Sequence, residues 1–296
     1  MSAGPPPGAN GPTAVGAQGG PVSGGRGRTL ALHAALVFAA IVVLFPFAWI
    51  SAAAFKTQIA LMMGQVTFTP TLANFRELLF SITSDYLANF WNSLVVAGGS
   101  TALVLFASTL AAYSIERMNW PRWSVHGFLL AAAVFNAIPA ITMVGAWYVM
   151  FRGVGLYNTY AGLILAHATL NLPIGIWLMA NFMREVPREL EEAARIDGCG
   201  TAKLLWRVIV PVVMPGIAAT AILVFIHSWN EFVVALNLSA RQTATVPVAI
   251  AKYAQEHETK YGEMAAGAVL STLPALLLLL VAQRHIVRGL TAGAVK

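Results

Sequence analysis

The sequence predicts an all-α, polytopic membrane protein with six transmembrane helices and a cytoplasmic loop of two short helices. Three observations carry this. The 296-residue chain is 58% apolar and 10% charged, against about 25% charged in soluble domains. Several apolar runs reach the roughly 20 residues that a helix needs to cross a bilayer. The basic residues fall unevenly on alternate loops, as orientation in a membrane requires.

Residues 1–28 are rich in Gly, Pro, Ala and Ser and have no apolar period. Such a segment cannot bury enough surface to fold, so a disordered tail is expected. Residues 29–288 hold the spans, and 289–296 form a C-terminal cytoplasmic tail. Arg26 and Arg28 precede the first apolar run, Leu30 to Ala54. Ser51-Ala52-Ala53-Ala54 resembles a cleavage site, but the run exceeds the roughly 7–15 residues of a signal-peptide core. It reads as an uncleaved first span. Five spans follow, at Asn92–Ser114, Val125–Phe151, Thr159–Met183, Val208–Leu238 and Met264–Ala282. Each is long enough at about 1.5 Å per residue. The fifth is longer, so its ends should protrude or tilt.

Orientation follows from counting. With the N-terminus inside, Arg26, Arg28, Arg117, Arg122, Arg184, Arg188, Arg195, Lys203, Arg207, Arg284, Arg288 and Lys296 are cytoplasmic. Lys56, Arg76, Arg152, Arg241, Lys252 and Lys260 are outside. Twelve against six places both termini in the cytoplasm. The net charge of +6 thus reflects orientation and not a nucleic-acid partner. A single cysteine, Cys199, excludes an internal disulfide and reads as an inert small residue.

Between spans four and five lies a polar stretch, 187–211. Pro187 suits a first helical turn, where its missing N–H is not needed. Leu190, Ala193 and Ala194 fall at i, i+3 and i+4 and would form one small apolar face. Gly198 can take φ > 0 and end this helix, and Gly200 loosens the bend. Thr201 is placed to cap a second helix that runs into span five.

Glu192-Ala193-Ala194, then Asp197-Gly198, then Val208-Ile209-Val210-Pro211 nine residues on, resembles the EAA loop of membrane subunits in bacterial ABC importers. Cys199-Gly200 stands where that family has Ala-Ser, and Val replaces both Ile and Leu near Pro211. Other stretches are similar to the sugar-importer subgroup: Phe68-Thr69-Pro70-Thr71-Leu72-Ala73-Asn74-Phe75, Asn92-Ser93-Leu94, Ala111-Ala112-Tyr113, Gly155-Leu156-Tyr157-Asn158-Thr159 and Trp229-Asn230-Glu231. The end, Gln283 to Lys296, resembles the tail of the maltose-type second permease subunit without its final Gly.

The resemblance implies a bacterial inner-membrane permease that couples transport to ATP hydrolysis on separate subunits. Its partners would be a homologous second permease, an ATPase dimer and a solute-binding protein outside. Glu191, Glu192, Ala193, Ala194, Asp197 and Gly198 would form the coupling helix in an ATPase cleft, with Arg188, Glu189 and Arg195 also at the rim. Gly289, Thr291 and Gly293 would contact the ATPases as a thin strand. This chain would bind no cofactor; ATP and Mg would sit on the partners. The chain has no Gly-x-x-x-x-Gly-Lys-Ser/Thr loop of its own.

Polar groups within spans are costly and mark cavities or helix contacts. Asn136, His167, Asn171, His227, Asn230 and Glu231 are candidates to line a path for a hydroxyl-rich solute. Packing between helices is the competing role for each. Trp147, Tyr148, Trp177 and Trp229 are candidates to stack on sugar rings, or to anchor at the interface. Pro139 and Pro173 can open their helices locally. His167 and His227 lack further ligands at metal spacing. Ser228 beside His227 does not make a hydrolase, because adjacent helical residues point apart. A six-span secondary transporter or channel would share the hydropathy but give no role to the Glu192–Pro211 pattern.

Overall fold

The computed structural model describes residues 26–254 and 259–292, with side chains from 27 to 280. Most of the expected disordered tail, 1–25, and Gly293 to Lys296 lie outside these residues. The chain divides into two units, 1–48 and 49–296. Helix α1 begins at Arg26 and runs on to Ala54 with Pro46 inside.

Every regular element among the described residues is a helix. In the second unit two short helices, α2 (Gln58–Met62) and α3 (Ala73–Phe80), precede α4 (Tyr86–Arg117). Next come α5 (Arg122–Ala137), α6 (Ala140–Gly153), α7 (Tyr160–Arg184) and α8 (Arg188–Ile196). Helix α9 covers Thr201–Val212 and α10 covers Met214–Trp229. The last are α11 (Val233–Leu238), α12 (Val246–Lys252) and α13 (Tyr261–Ala292).

Four helices, α1, α4, α7 and α13, are long and apolar enough to cross a membrane alone. Spans three and five are bent pairs. Helices α5 and α6 meet at 92°, and α9 and α10 at 78°. The first break has a local contribution. Ile138 precedes Pro139 and is extended, with φ −74° and ψ 122°, because a residue before proline avoids the helical region. Pro173, by contrast, sits inside an unbroken α7.

The second break corrects the expected fifth span. The helix that holds residues 208–212 begins already at Thr201, and a separate helix follows from Met214, so the expected continuous run from Val208 is broken at Val213. Pro211 and Pro215 each remove an N–H donor near the bend. The turn before Pro211, Leu205–Ile209, is wound as π-helix, and Val210 N donates to Leu205 O. Such a bulge absorbs an extra residue in the ladder.

Helices α4 and α7 pack along each other, and α10 lies on both. Small residues let the backbones close up, as in membrane helix pairs generally. A Cβ on Gly99 would meet Ile164 at 2.6 Å, and one on Gly175 would meet Val104 at 2.6 Å. At one end of this stack, Ala112 and Tyr113 of α4 and Met179 and Met183 of α7 share a core with Ala194, Leu204, Leu205 and Ile209. The polar loop is thus seated on the ends of two spans.

Candidate functional site

Helix α8 is built as a short, well-terminated element. Pro187 stands at its N-cap with φ −59° and ψ 136°, one position before the first turn that the sequence suggests. Glu189 and Glu191 lie in the first turn and Arg195 in the last, which suits the helix dipole. The C-terminus is a Schellman turn. Gly198 has φ +79°, as expected. Its N–H donates to Arg195 O (3.0 Å), and Cys199 N–H donates to Ala194 O (3.0 Å). Cys199 packs on the same core as Ala194, so it closes the turn with an apolar contact. The next helix starts at Thr201, but Gly200 occupies its N-cap and Thr201 makes no capping bond.

The faces of α8 differ from the sequence pattern. Ala194 is buried, whereas Leu190 and Ala193 point outward. Ile196 is 86% exposed. Glu191 is turned inward, 6% exposed, and is not a rim charge. It accepts from Nε of Arg117 at the end of α4. Nη2 of the same arginine donates to Met183 O (2.9 Å) and Val186 O (2.7 Å). Met183 O, in the last turn of α7, also accepts from Val186 N–H (3.2 Å), and Val186 O lies in the turn that follows. The sequence reading counts Arg117 only as an orienting charge. Glu192, Asp197 and Gly198 remain on the outer surface of the loop.

The intramembrane candidates separate into two groups. Asn136, His227, Asn230 and Glu231 line one cavity of about 520 Å³, with Pro139 and Phe232. It lies where both helical breaks come together, α5 to α6 and α10 to α11. Asn136 also lines a smaller cavity of about 320 Å³ with Pro173 and Trp177. Glu231 has a fixed backbone role too. Its carboxylate accepts from Val234 N–H (3.0 Å) and Ala235 N–H (3.0 Å), satisfying the start of α11.

His167 and Asn171 are packing residues behind that cavity. His167 is fully buried, and its Nδ1 is 2.7 Å from Ser228 Oγ. Ser100 Oγ donates to Ser228 Oγ at 2.9 Å, so α4, α7 and α10 share one polar contact. His167 Nε2 lies 3.6 Å from Glu231 Oε2. Asn171 Nδ2 donates to His167 O (2.8 Å) within α7. Trp229 is buried as well. Its Nε1 donates to Ser271 O (3.0 Å) and its ring stacks on Phe225, so it is not free to stack on a solute. Trp147 and Tyr148 pack on the core of Val144, Phe151 and Leu163. Among the described residues no three His, Cys, Asp or Glu side chains gather to hold a metal ion.

Two sequence motifs form a polar clasp over the cavity's α11 side. Asn92 Nδ2 donates to Gln242 O (3.0 Å) and Ala244 O (2.9 Å), and Ser93 Oγ accepts from Val246 N–H (2.8 Å). Asn158 has φ +56°. Its Oδ1 accepts from Ala240 N–H (2.8 Å) and Thr243 Oγ1 (2.8 Å). The loop after α11 is thereby tied to α4 and to the turn before α7. Nearby, Arg241 donates to Asp85 (3.0 Å), which raises the guanidinium pKa above its ordinary value.

The tail candidates are placed only in part. Gly289 and Thr291 fall in the backbone of α13, which stays helical to Ala292, so these residues extend the last span and do not form a strand. Gly293 lies outside the described residues.

Residues 104–292 match the family described as binding-protein-dependent transport system inner membrane component. The chain is 36% identical to a trehalose transport system permease protein of Mycobacterium tuberculosis, covering 86% of this chain and 92% of that protein. It is 34% identical to a trehalose/maltose transport system permease protein of Thermococcus litoralis, covering 88% and 94%. The fold is also that of a chain in the crystal structure of a bacterial ABC transporter that imports the acidic polysaccharide alginate. The TM-score is 0.73 at 21% identity, over 88% of this chain and 98% of that one. By sequence over most of its length, the chain belongs to the binding-protein-dependent transport system inner membrane components, a family of membrane transport permeases.

Proposed function

We propose that the chain is one permease subunit of an ATP-driven importer for a sugar or sugar-like solute. A second permease completes the path, two ATPase subunits supply the energy, and a binding protein outside delivers the solute. Both termini and α8 are cytoplasmic, in a bacterial inner membrane.

The observation that carries this reading is the surface of α8. It buries Glu191 and Ala194 and turns Leu190, Ala193 and Ile196 outward beside Glu192. A soluble partner can cover this small apolar face while the charged rim sets its orientation. The relatives named for trehalose and maltose support a sugar as cargo. In the membrane, Asn136, His227, Asn230 and Glu231 offer donors and acceptors suited to hydroxyl groups. Alternating access would reshape that cavity when the ATPases close and move α8. Gly289 and Thr291, in the helical extension of the last span, would lie near the ATPases, together with Gly293.

The test is reconstitution with the partner subunits in liposomes and uptake of a labelled panel that includes trehalose and maltose. Uptake of one sugar that needs ATP and the binding protein is the expected result. Uptake driven by an ion gradient without ATP would instead make the chain a secondary transporter.

A further inference from the structure

We infer that Arg117 is the positioning residue that makes α8 move as one body with the spanning helices α4 and α7. The inference rests on α8 being the helix that docks on an ATPase.

Consider what else holds α8. It has nine residues, too few to be stable alone. Its apolar attachment is the core formed by Ala194 with Met179, Met183 and the first turns of α9. Apolar packing is not directional, so it resists separation better than it resists sliding or rolling. A helix that must pass on a push needs contacts with fixed geometry.

Arg117 supplies them. One guanidinium reaches three acceptors on three successive pieces of chain: Met183 O at the end of α7, Val186 O in the turn, and the Glu191 carboxylate on α8. Arg117 itself is the last residue of α4. The Arg117 and Glu191 side chains are each 8% exposed, so water screens the pair little. Removing one partner of such a pair strands the other charge. The planar fork also matters, because a lysine ammonium is a point donor and cannot hold this geometry. The neighbouring pair, Arg184 with Glu116, also joins α7 to α4, but it leaves α8 untouched and its arginine is 63% exposed.

The prediction is mechanical. With Arg117 in place, motion imposed on Ile196 appears in α4. Without it, α8 moves and α4 lags. The experiment uses the full complex, with cysteine-free partner subunits and Cys199→Ala in this chain. Spin labels on Glu189→Cys, outside the apolar docking face of α8, and Leu110→Cys, both exposed in this chain, report the separation of α8 from α4. It is measured without nucleotide and with ATP–vanadate.

The expected result without further change is one narrow distance distribution, the same in both states. Arg117→Gln should lose that single distribution in the vanadate state, and Arg117→Lys should broaden it less. Glu191→Gln keeps the shape of the side chain and should also broaden it, which covers the case in which Arg117→Gln fails to assemble. A merely structural role would lower yield or melting temperature but leave the distribution narrow. A narrow, unshifted distribution in Arg117→Gln or Glu191→Gln overturns the inference. The docking premise is read separately, by a photo-cross-linker on Ile196→Cys. No cross-link to an ATPase in the otherwise unchanged complex removes the premise and the inference with it. A cross-link together with narrow distributions removes the inference alone.

Discussion

Gly198 offers a test in which backbone conformation is separated from crowding. Its φ is +79°, and a Cβ built there meets no atom within 4 Å. Any cost of a side chain is therefore conformational. The left-handed region costs an ordinary residue about 1–2 kcal/mol, which is roughly a 5–30-fold change in a two-state ratio. Gly198→Ala should open the turn at the end of α8 by about that factor. Gly198→Val should go further, since β-branched residues fit φ > 0 worst, and Gly198→Asn should do least. Gly200 is the internal control. It is just as open, but its φ is −70° and ψ is 160°, a conformation any residue takes. Gly200→Ala should stay within about 0.5 kcal/mol of the starting protein. The assay uses Cys199, the only cysteine of the chain, which is half-buried against the loop core. Its maleimide labelling rate in the purified protein reports turn opening. The rates should rise in the order Asn, Ala, Val at Gly198. Equal rates across the series, or a Gly200→Ala rate that matches Gly198→Ala, would refute the reasoning.

Two further outcomes are expected. In intact cells carrying Cys199→Ala, an impermeant thiol reagent should label Thr71→Cys and not Thr201→Cys; the reverse pattern would invert the topology. At Asn158, Gly keeps the φ of +56° without strain but loses the bonds to Ala240 and Thr243, while Ala loses both. Melting temperature in detergent should fall for Asn158→Gly, by bonds of about 0.5–1.5 kcal/mol each, and fall further for Asn158→Ala. Equal losses would show that the backbone contributes nothing there.

The spans are legible because apolar length is a local property. The angles within them are not. Pro139 and Pro173 are the same residue in similar apolar surroundings, yet one ends a helix at a 92° bend and the other leaves α7 continuous. Proline removes one donor and crowds one carbonyl; whether the helix then breaks depends on what packs beside it. Helix α7 is held on several sides, by α4, α5 and α10. At residues 138 and 139, which line an open cavity, the two halves pack on different neighbours, α5 on α7 and α6 chiefly on α11. The loop shows the same limit. Local spacing joins Leu190, Ala193 and Ala194 into one face. The buried face instead pairs Ala194 with Glu191, three residues before it, and its reason is Arg117, 74 residues away. A burial partner so distant leaves no trace in a periodicity.

Residue type alone does not separate path from packing among the polar span residues, but position relative to a break does. Within an unbroken helix nearly every backbone group is used, and a polar side chain must find its partner on the same helix or a neighbour. His167 Nδ1 and Asn171 Nδ2 do so, through Ser228 and the backbone of α7. At a break, helix ends leave N–H and C=O groups that need water or side chains. Asn136 lies two residues before the break at Ile138, and His227, Asn230 and Glu231 straddle the one after Trp229. Both sets face one cavity. Glu231 shows why these coincide. Its carboxylate satisfies buried N–H groups at the start of α11 and still lines the cavity with the remainder of its surface. A polar side chain beside a discontinuous helix therefore serves the backbone first. Under the proposed function, the capacity it has left over is what a passing hydroxyl group would use.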